Sequence, residues 1–196
     1  MKNITVLLIT IFTISLGYSQ DSKFYLGVGL GFAIAGGDIA DATDLKTGLN
    51  INFLNTGYRF NEAWGVTINL SSSGHKIGDS DSAIGVGSFS FGPMYSVSLG
   101  SLSWDIKPQY SILGGAFRGE DAAEMGLEDV EYSGSGFVFG NSLVFGSGGK
   151  GFSFSVDLDY LTGKFTEASV SGETLEIDED NSLANFKLGA GVRYNF

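Results

Sequence analysis

In separate segments between Phe24 and the last residue, Phe196, large apolar side chains recur at every second position, mostly with small or polar residues between them. A period of two is the signature of a strand whose two faces meet different surroundings, and the interleaved glycines argue against helix. In the first such segment Phe24, Leu26, Val28, Leu30, Phe32 and Ile34 share one face, against Tyr25, Gly27, Gly29, Gly31 and Ala33. The pattern returns around Trp64–Leu70, Phe89–Val97, Leu102–Ile112, Phe137–Phe145, Phe152–Tyr160 and Phe186–Phe196. Asn141 is a polar exception on an apolar face. The remaining segment, 47–60, changes phase: Leu49, Ile51 and Phe53 fall on one parity, Tyr58 and Phe60 on the other. A β-bulge near Leu54 and Asn55 restores them to one side.

That makes eight strands, and their connections alternate in length. Segments 61–63, 98–101 and 146–150 are short, whereas 35–46, 73–82, 115–132 and 162–181 are long. Short turns at one end and long loops at the other predict an all-β fold: an eight-stranded antiparallel up-and-down transmembrane β-barrel. A soluble barrel of this size would turn its apolar face inward, but an eight-stranded lumen is barely wide enough for side chains. The phenylalanines and tyrosines of eight strands do not fit there; Gly, Ser, Thr and Asn do. The greasy face therefore looks toward lipid, and closure removes the unpaired edges that hydrocarbon forbids. Trp64, Tyr95, Trp104, Phe145, Phe152, Tyr194 and Phe196 lie near the short turns or the C-terminus and are expected to form an aromatic girdle, with Tyr110, Phe137 and Tyr160 toward the other rim.

Residues 1–19 read differently. Lys2 precedes an uncharged apolar run, Ile4–Leu16, and Gly17-Tyr18-Ser19 is a small-x-small cleavage site. This is the pattern of a secretory signal peptide, so 1–19 is expected to be removed and 20–196 to be the barrel domain. The absence of cysteine excludes disulfides, thiol catalysis and a lipid-modified cysteine. The formal charge of −11 opposes binding to nucleic acid. Thirty glycines without a G-X-Y period exclude collagen, and 26 aromatics are too many for low-complexity disorder.

The closing segment, Lys187-Leu-Gly-Ala-Gly-Val-Arg-Tyr-Asn-Phe196, resembles the last strand of bacterial outer-membrane barrels. Gly57-Tyr-Arg-Phe-Asn-Glu-Ala-Trp-Gly65 and Gly92-Pro-Met-Tyr95 also resemble segments of the outer membrane protein beta-barrel domain family, the small OmpA-, OmpX- and OmpW-like barrels. The likeness covers roughly 24–196. It implies a cell outer-membrane location with lipid as surroundings and a monomer, and the even strand count is expected to return both termini to the periplasmic side. It also implies that Tyr194 and Phe196 form the signal read by the barrel-assembly machinery. Membership implies topology far more than activity.

On the inward parity lie Arg59 (with the bulge), Asp105, Lys107, Asp157, Asp159, Lys187 and Arg193. In so narrow a lumen these charges should pair, because an unpaired buried charge is costly. Treating 162–181 as one loop puts Asp157 and Lys187 at matching heights, so their contact is expected, with Asp159 in reach of the same ammonium. An ion path along this network is the competing expectation. No Gly-x-Ser-x-Gly elbow is present, and the single histidine, His75, reads as a solvated loop residue among serines, so no catalytic site is expected. Nor is a cofactor.

Seventeen of the 22 acidic residues fall in the four long segments. They include Asp38, Asp41 and Asp44; Glu120, Asp121, Glu124, Glu128, Asp129 and Glu131; and Glu173, Glu176, Asp178, Glu179 and Asp180. Oxygen ligands of this kind suit divalent cations, yet Asp178-Glu179-Asp180 lacks the spacing of an EF-hand. The expected role is a non-enzymatic barrel acting in envelope structure or surface binding through acidic loops that meet divalent cations or surface glycans. The alternative is a narrow channel for small solutes or ions.

Overall fold

A computed structural model describes residues 23–118, 130–146, 149–170, 173–177 and 181–196. Its strands are β1 (Phe24–Gly36), β2 (Gly48–Arg59), β3 (Trp64–Lys76), β4 (Ala83–Leu99), β5 (Leu102–Arg118), β6 (Val130–Phe145), β7 (Gly151–Val170), β8 (Glu173–Glu176) and β9 (Ser182–Asn195). One short helix, α1 (Asp38–Thr43), lies between β1 and β2. Each of β1 to β7 pairs antiparallel with the next, β7 pairs with β9, and β9 returns to β1. The sheet is thus a closed eight-stranded ring, and among the described residues β8 is a flap paired with the tip of β7 alone. Among the described residues no helix is long and apolar enough to cross a membrane, so crossing falls to the strands.

The phase change in β2 is a bulge. Between Asn52 and Leu54 the register with β3 shifts, and Phe53 is the extra residue. Phe53 and Leu54 consequently both avoid the lumen, one position earlier than the sequence suggests, and Tyr58 turns out while Arg59 turns in. A second bulge lies at Thr166 of β7, where Ser133 and Gly134 of β6 face Glu167 and Phe165. The two prolines of the chain face one another: the β4–β5 register runs to Phe91↔Tyr110 and resumes at Tyr95↔Ile106, which sets Pro93 against Pro108. Neither has an N–H to offer, so one shared interruption replaces two separate ones.

Over most of the wall the large apolar residues face outward: Leu30 is 67% exposed and Phe152 71%, while inward Ser111 and Asp105 are at 0%. A water-soluble surface does not carry an apolar band encircling the whole molecule. At the short-turn end this face ends in aromatic pairs, Trp64–Tyr95 at 4.9 Å and Phe152–Tyr194 at 5.0 Å. Trp104 is outward there too and donates its indole N–H to Asn141 at 3.2 Å, which satisfies the one polar residue on that stripe.

Toward the long-loop end the two faces exchange character. Ile84, Val86, Leu113, Val138, Leu161, Phe165 and Leu183 stand on the inward parity and form one buried apolar cluster. Their outward neighbours are small or polar: Gly85 and Gly87, Gly114, Ser133 and Ser135, Thr162 and Lys164. The lipid-facing stripes stop just below, at Phe89, Ile112, Phe137, Tyr160 and Phe186. Past that level the barrel is built like a soluble one. This corrects the expected loop boundaries: strand occupies 35–36, 73–76, 115–118, 130–132, 162–170 and 173–176 of the segments read as loops. The added inward packing keeps the ladders going beyond lipid.

Candidate functional site: the filled lumen and the acidic mouth

The lumen is stacked in layers. Nearest the short turns, β5 places Asp105 between Arg59 of β2 and Arg193 of β9. Arg59 Nη2 donates to both carboxylate oxygens at 3.1 and 3.3 Å, Arg193 Nη1 donates at 2.8 Å, and the Ser96 hydroxyl adds a bond of 2.7 Å. Tyr25 closes this layer. Its ring lies 4.5 Å under the Arg193 guanidinium, a cation–π distance, and its hydroxyl meets Thr67 Oγ1 at 3.3 Å. Gly57 makes room for it: a Cβ there would stand 2.6 Å from the ring.

The middle layer holds the other four charges. Lys107 reaches Asp157 at 3.9 Å and donates to Ser142 Oγ at 2.6 Å. Ser142 in turn donates to Asp157, which also accepts from Ser155 at 2.8 Å. The expected Asp157–Lys187 contact is not made. The β7–β9 register sets Asp159 opposite Lys187 and Asp157 opposite Gly189, two residues from the symmetric-loop estimate. The bulge at Thr166 and the β8 flap break that symmetry. A shift of two keeps the parity, so both charges still face inward. The Lys187 ammonium instead crosses the lumen to Ser71 Oγ at 3.0 Å and Ser88 Oγ at 3.5 Å, and among the described residues no carboxylate lies within 4.0 Å of it. A recess beside Asn52, Asp159 and Lys187 has a volume of about 10 Å³, space for about one water.

Above it sits His75, and here the sequence reading is corrected: the residue is on β3, faces inward and is 1% exposed. Its Nδ1 lies 3.1 Å from the Lys46 carbonyl, which can only accept, so Nδ1 carries the proton and Nε2 is the acceptor. Nε2 meets Ser73 Oγ at 3.1 Å and the Asn185 amide nitrogen at 3.2 Å, and Asn185 also donates to Ser73 at 2.8 Å. A serine against a histidine with a fixed tautomer is the geometry of a nucleophile and its base. Ser73 is also only 1% exposed, however, and Asn185 occupies the remaining side. The trio acts as a polar clasp between β3 and β9.

The apolar cluster closes the lumen at the top, and α1 lies beside it with Ile39 and Leu45 packed against the cluster. The helix is tethered by Asp38, whose backbone N–H donates to Ser182 Oγ at 3.1 Å while the Ser182 hydroxyl donates to Asp38 Oδ2 at 2.5 Å. That hydroxyl holds the Asp38 carboxyl below its usual range. Asp41, Asp44, Glu131, Glu173 and Glu176 are exposed around this end. Two exposed pairs join them, Lys46–Asp44 at 2.7 Å and Lys76–Asp81 at 3.6 Å. Glu120, Asp121, Glu124, Glu128, Asp129, Asp178, Glu179 and Asp180 lie outside the described residues, and among those described no cluster suited to a metal is present. At the opposite end Phe196 packs on Tyr194 at 5.0 Å and on Phe24 at 5.3 Å, across the seam where β9 meets β1.

No family model matches the sequence, and no curated protein does. Solved structures do match. Neisserial surface protein A is 13% identical, with a TM-score of 0.58 over 88% of this chain and 97% of that one. Ail, the attachment invasion locus protein of Yersinia pestis, solved in complex with the heparin analogue sucrose octasulfate, is 18% identical, with a TM-score of 0.54 over 89% and 99%. The outer membrane enzyme PagL is 14% identical, with a TM-score of 0.46 over 88% and 99%. At these identities the likeness to the first two is one of fold alone, the small outer-membrane β-barrel, and fold does not assign a role.

Proposed function

We propose that this chain, once its signal peptide is removed, is a monomeric outer-membrane barrel that neither conducts nor catalyses and acts through its acidic outer rim. The observation that carries this reading is the filled lumen. Charge layers bridge opposite walls from Arg59 to Lys187, and an apolar cluster stands above them. A channel needs a continuous wet path, whereas the recess in the middle layer holds about one water. Both termini belong to the short-turn, periplasmic side, where Tyr194 and Phe196 would be read by the assembly machinery.

The four long segments together hold 17 acidic residues against four basic ones. Such a rim repels polyanions of the kind Ail holds in its complex, so the partner is cationic, or a surface glycan bridged by divalent cations. Two measurements test the reading. The purified protein in a planar bilayer should be silent, and a steady open level would overturn the closed lumen. Tags within 120–130 should be reachable on intact cells and tags at 61–63 should not; the reverse would overturn the orientation.

A further inference from the structure

The mouth of the barrel carries a recess that the closed lumen and the acidic rim do not account for. It has a volume of about 170 Å³ and lies between α1 and the upper ends of β4 to β7. Its base is apolar: Ile84 is 1% exposed and Phe165 3%. Its wall is an aromatic ladder, with the Phe117 and Tyr132 rings 5.5 Å apart and those of Tyr132 and Phe165 5.8 Å apart. Asp38 and Thr43 of α1, with Asn181, add polar groups to its lining, Asp38 being exposed. An apolar cavity of about 150 Å³ accepts a benzene molecule, so this recess is sized for one six-membered ring with a short substituent.

Charge selects among such rings. The Ser182 hydrogen bonds to the Asp38 carboxylate both end on Oδ2, and among the described residues no other side chain donates to Oδ1. Lys164, the base that acts on Asp38 through space, is exposed and therefore well screened. Among the described residues of the long segments nine are acidic and four basic, and this excess of negative charge at the long-loop end favours cations over anions there. Aromatic faces attract a cation in addition to burying a ring.

The geometry points to a binding site for a small aryl-alkyl ammonium compound, its ring on Ile84, Phe117 and Phe165 and its ammonium at Asp38. This assignment rests on the surface-binding reading and names the ligand class for it. The test uses the full chain folded into phosphatidylcholine nanodiscs, with methyl NMR of Ile39 and Ile84 as the readout. The probes are 2-phenylethylammonium, neutral 2-phenylethanol and anionic 3-phenylpropionate. The ammonium should give a saturable shift at both methyls, with affinity about tenfold or more above that of the anion and the alcohol between them. Ala42, which lines the recess from exposed α1, is the place to fill it: Ala42→Trp should abolish the shift, and Ala42→Leu should weaken it if the tryptophan variant does not fold. Absence of a saturable shift, equal affinity for the anion, or full binding by a folded filled variant would each overturn the assignment. Electrical silence in a bilayer reports on the lumen alone, so the two readings fail separately.

Discussion

Among the described residues Asp105 is the only carboxylate shared by two lumen guanidiniums, and replacing it removes both contacts. Its side chain is 1% exposed, those of its partners Arg193 and Arg59 4% and 13%, and it accepts three bonds from them plus one from Ser96. Arg193 has little to fall back on, since its Nε and Nη2 are buried without a hydrogen-bond partner and only the Tyr25 ring remains against it. Breaking a buried pair costs about 3–5 kcal/mol because a charge is left uncompensated, and here two are left. Asp105→Ala should therefore cost about 3–5 kcal/mol, read as a lowered urea midpoint of the vesicle-folded barrel by heat-modifiable gel mobility. Asp81→Ala, which removes an exposed pair with Lys76, should change stability by under about 1 kcal/mol. Combining Asp105→Leu with Arg59→Met and Arg193→Met should recover most of the loss, since all three charges leave together. An Asp105→Ala cost within about 1 kcal/mol, equal to that of a surface pair, would refute the reading of this layer as a buried, mutually compensated ion cluster.

Gly57→Ala puts a Cβ 2.6 Å from the Tyr25 ring and should lower the same midpoint by about 1–3 kcal/mol, while Gly74→Ala, with open space around it, should not. The Ser182 bonds lower the Asp38 carboxyl, so they favour the tethered helix above the ordinary value of 3.8, and that contribution disappears as pH falls through the lowered value. The protection factor of the α1 amides, that is, exchange corrected for its intrinsic pH dependence, should accordingly fall in that acid range while that of β5 is kept; a protection factor over α1 unchanged with pH would contradict the tether. Removing Phe196, whose ring touches Tyr194 and Phe24 at the closing seam, should slow insertion by the assembly machinery more than it weakens a formed barrel. Equal insertion rates would deny it a role in assembly.

Sequence periodicity was enough for the eight wall strands, though not their upper ends or β8, for the presence of a bulge in β2 one position from where it lies, and for the inward parity of the lumen charges, because a two-residue repeat with unlike faces leaves little freedom. It was not enough for partners. Which strand positions face each other depends on turn geometry, and an unseen bulge at Thr166 with a flap at β8 moved Lys187 from Asp157 to Asp159. A lysine in a narrow lumen can also reach the far wall, which no neighbour-strand argument anticipates; Ser71 and Ser88 are on β3 and β4. His75 was misjudged because its segment was read as loop. Its own parity, shared with Ser73, Ser71 and Asn69, was the signal that it points inward.

The exchange of faces near the long-loop end left a trace in the sequence too. In β4, Ser90 and Ser88 are followed outward by Val86 and Ile84 on the same parity, and in β5 Ser111 by Leu113. In β9, Asn185 gives way to Leu183. A barrel ending at the membrane surface would have no reason to make this exchange. Hydrocarbon outside demands polar or small residues within a narrow lumen, whereas water outside restores the ordinary preference for an apolar interior. The level at which the exchange happens therefore marks where lipid ends, and the strand beyond it stands in water with its own core. That projecting part supplies the stable floor, Ile84 and Phe165, on which α1 and the aromatic recess are mounted. The two levels thus do different structural work: the charged layers bridge the walls of the ring within the membrane, and the apolar cap holds the mouth, where binding is proposed, in a fixed shape above it.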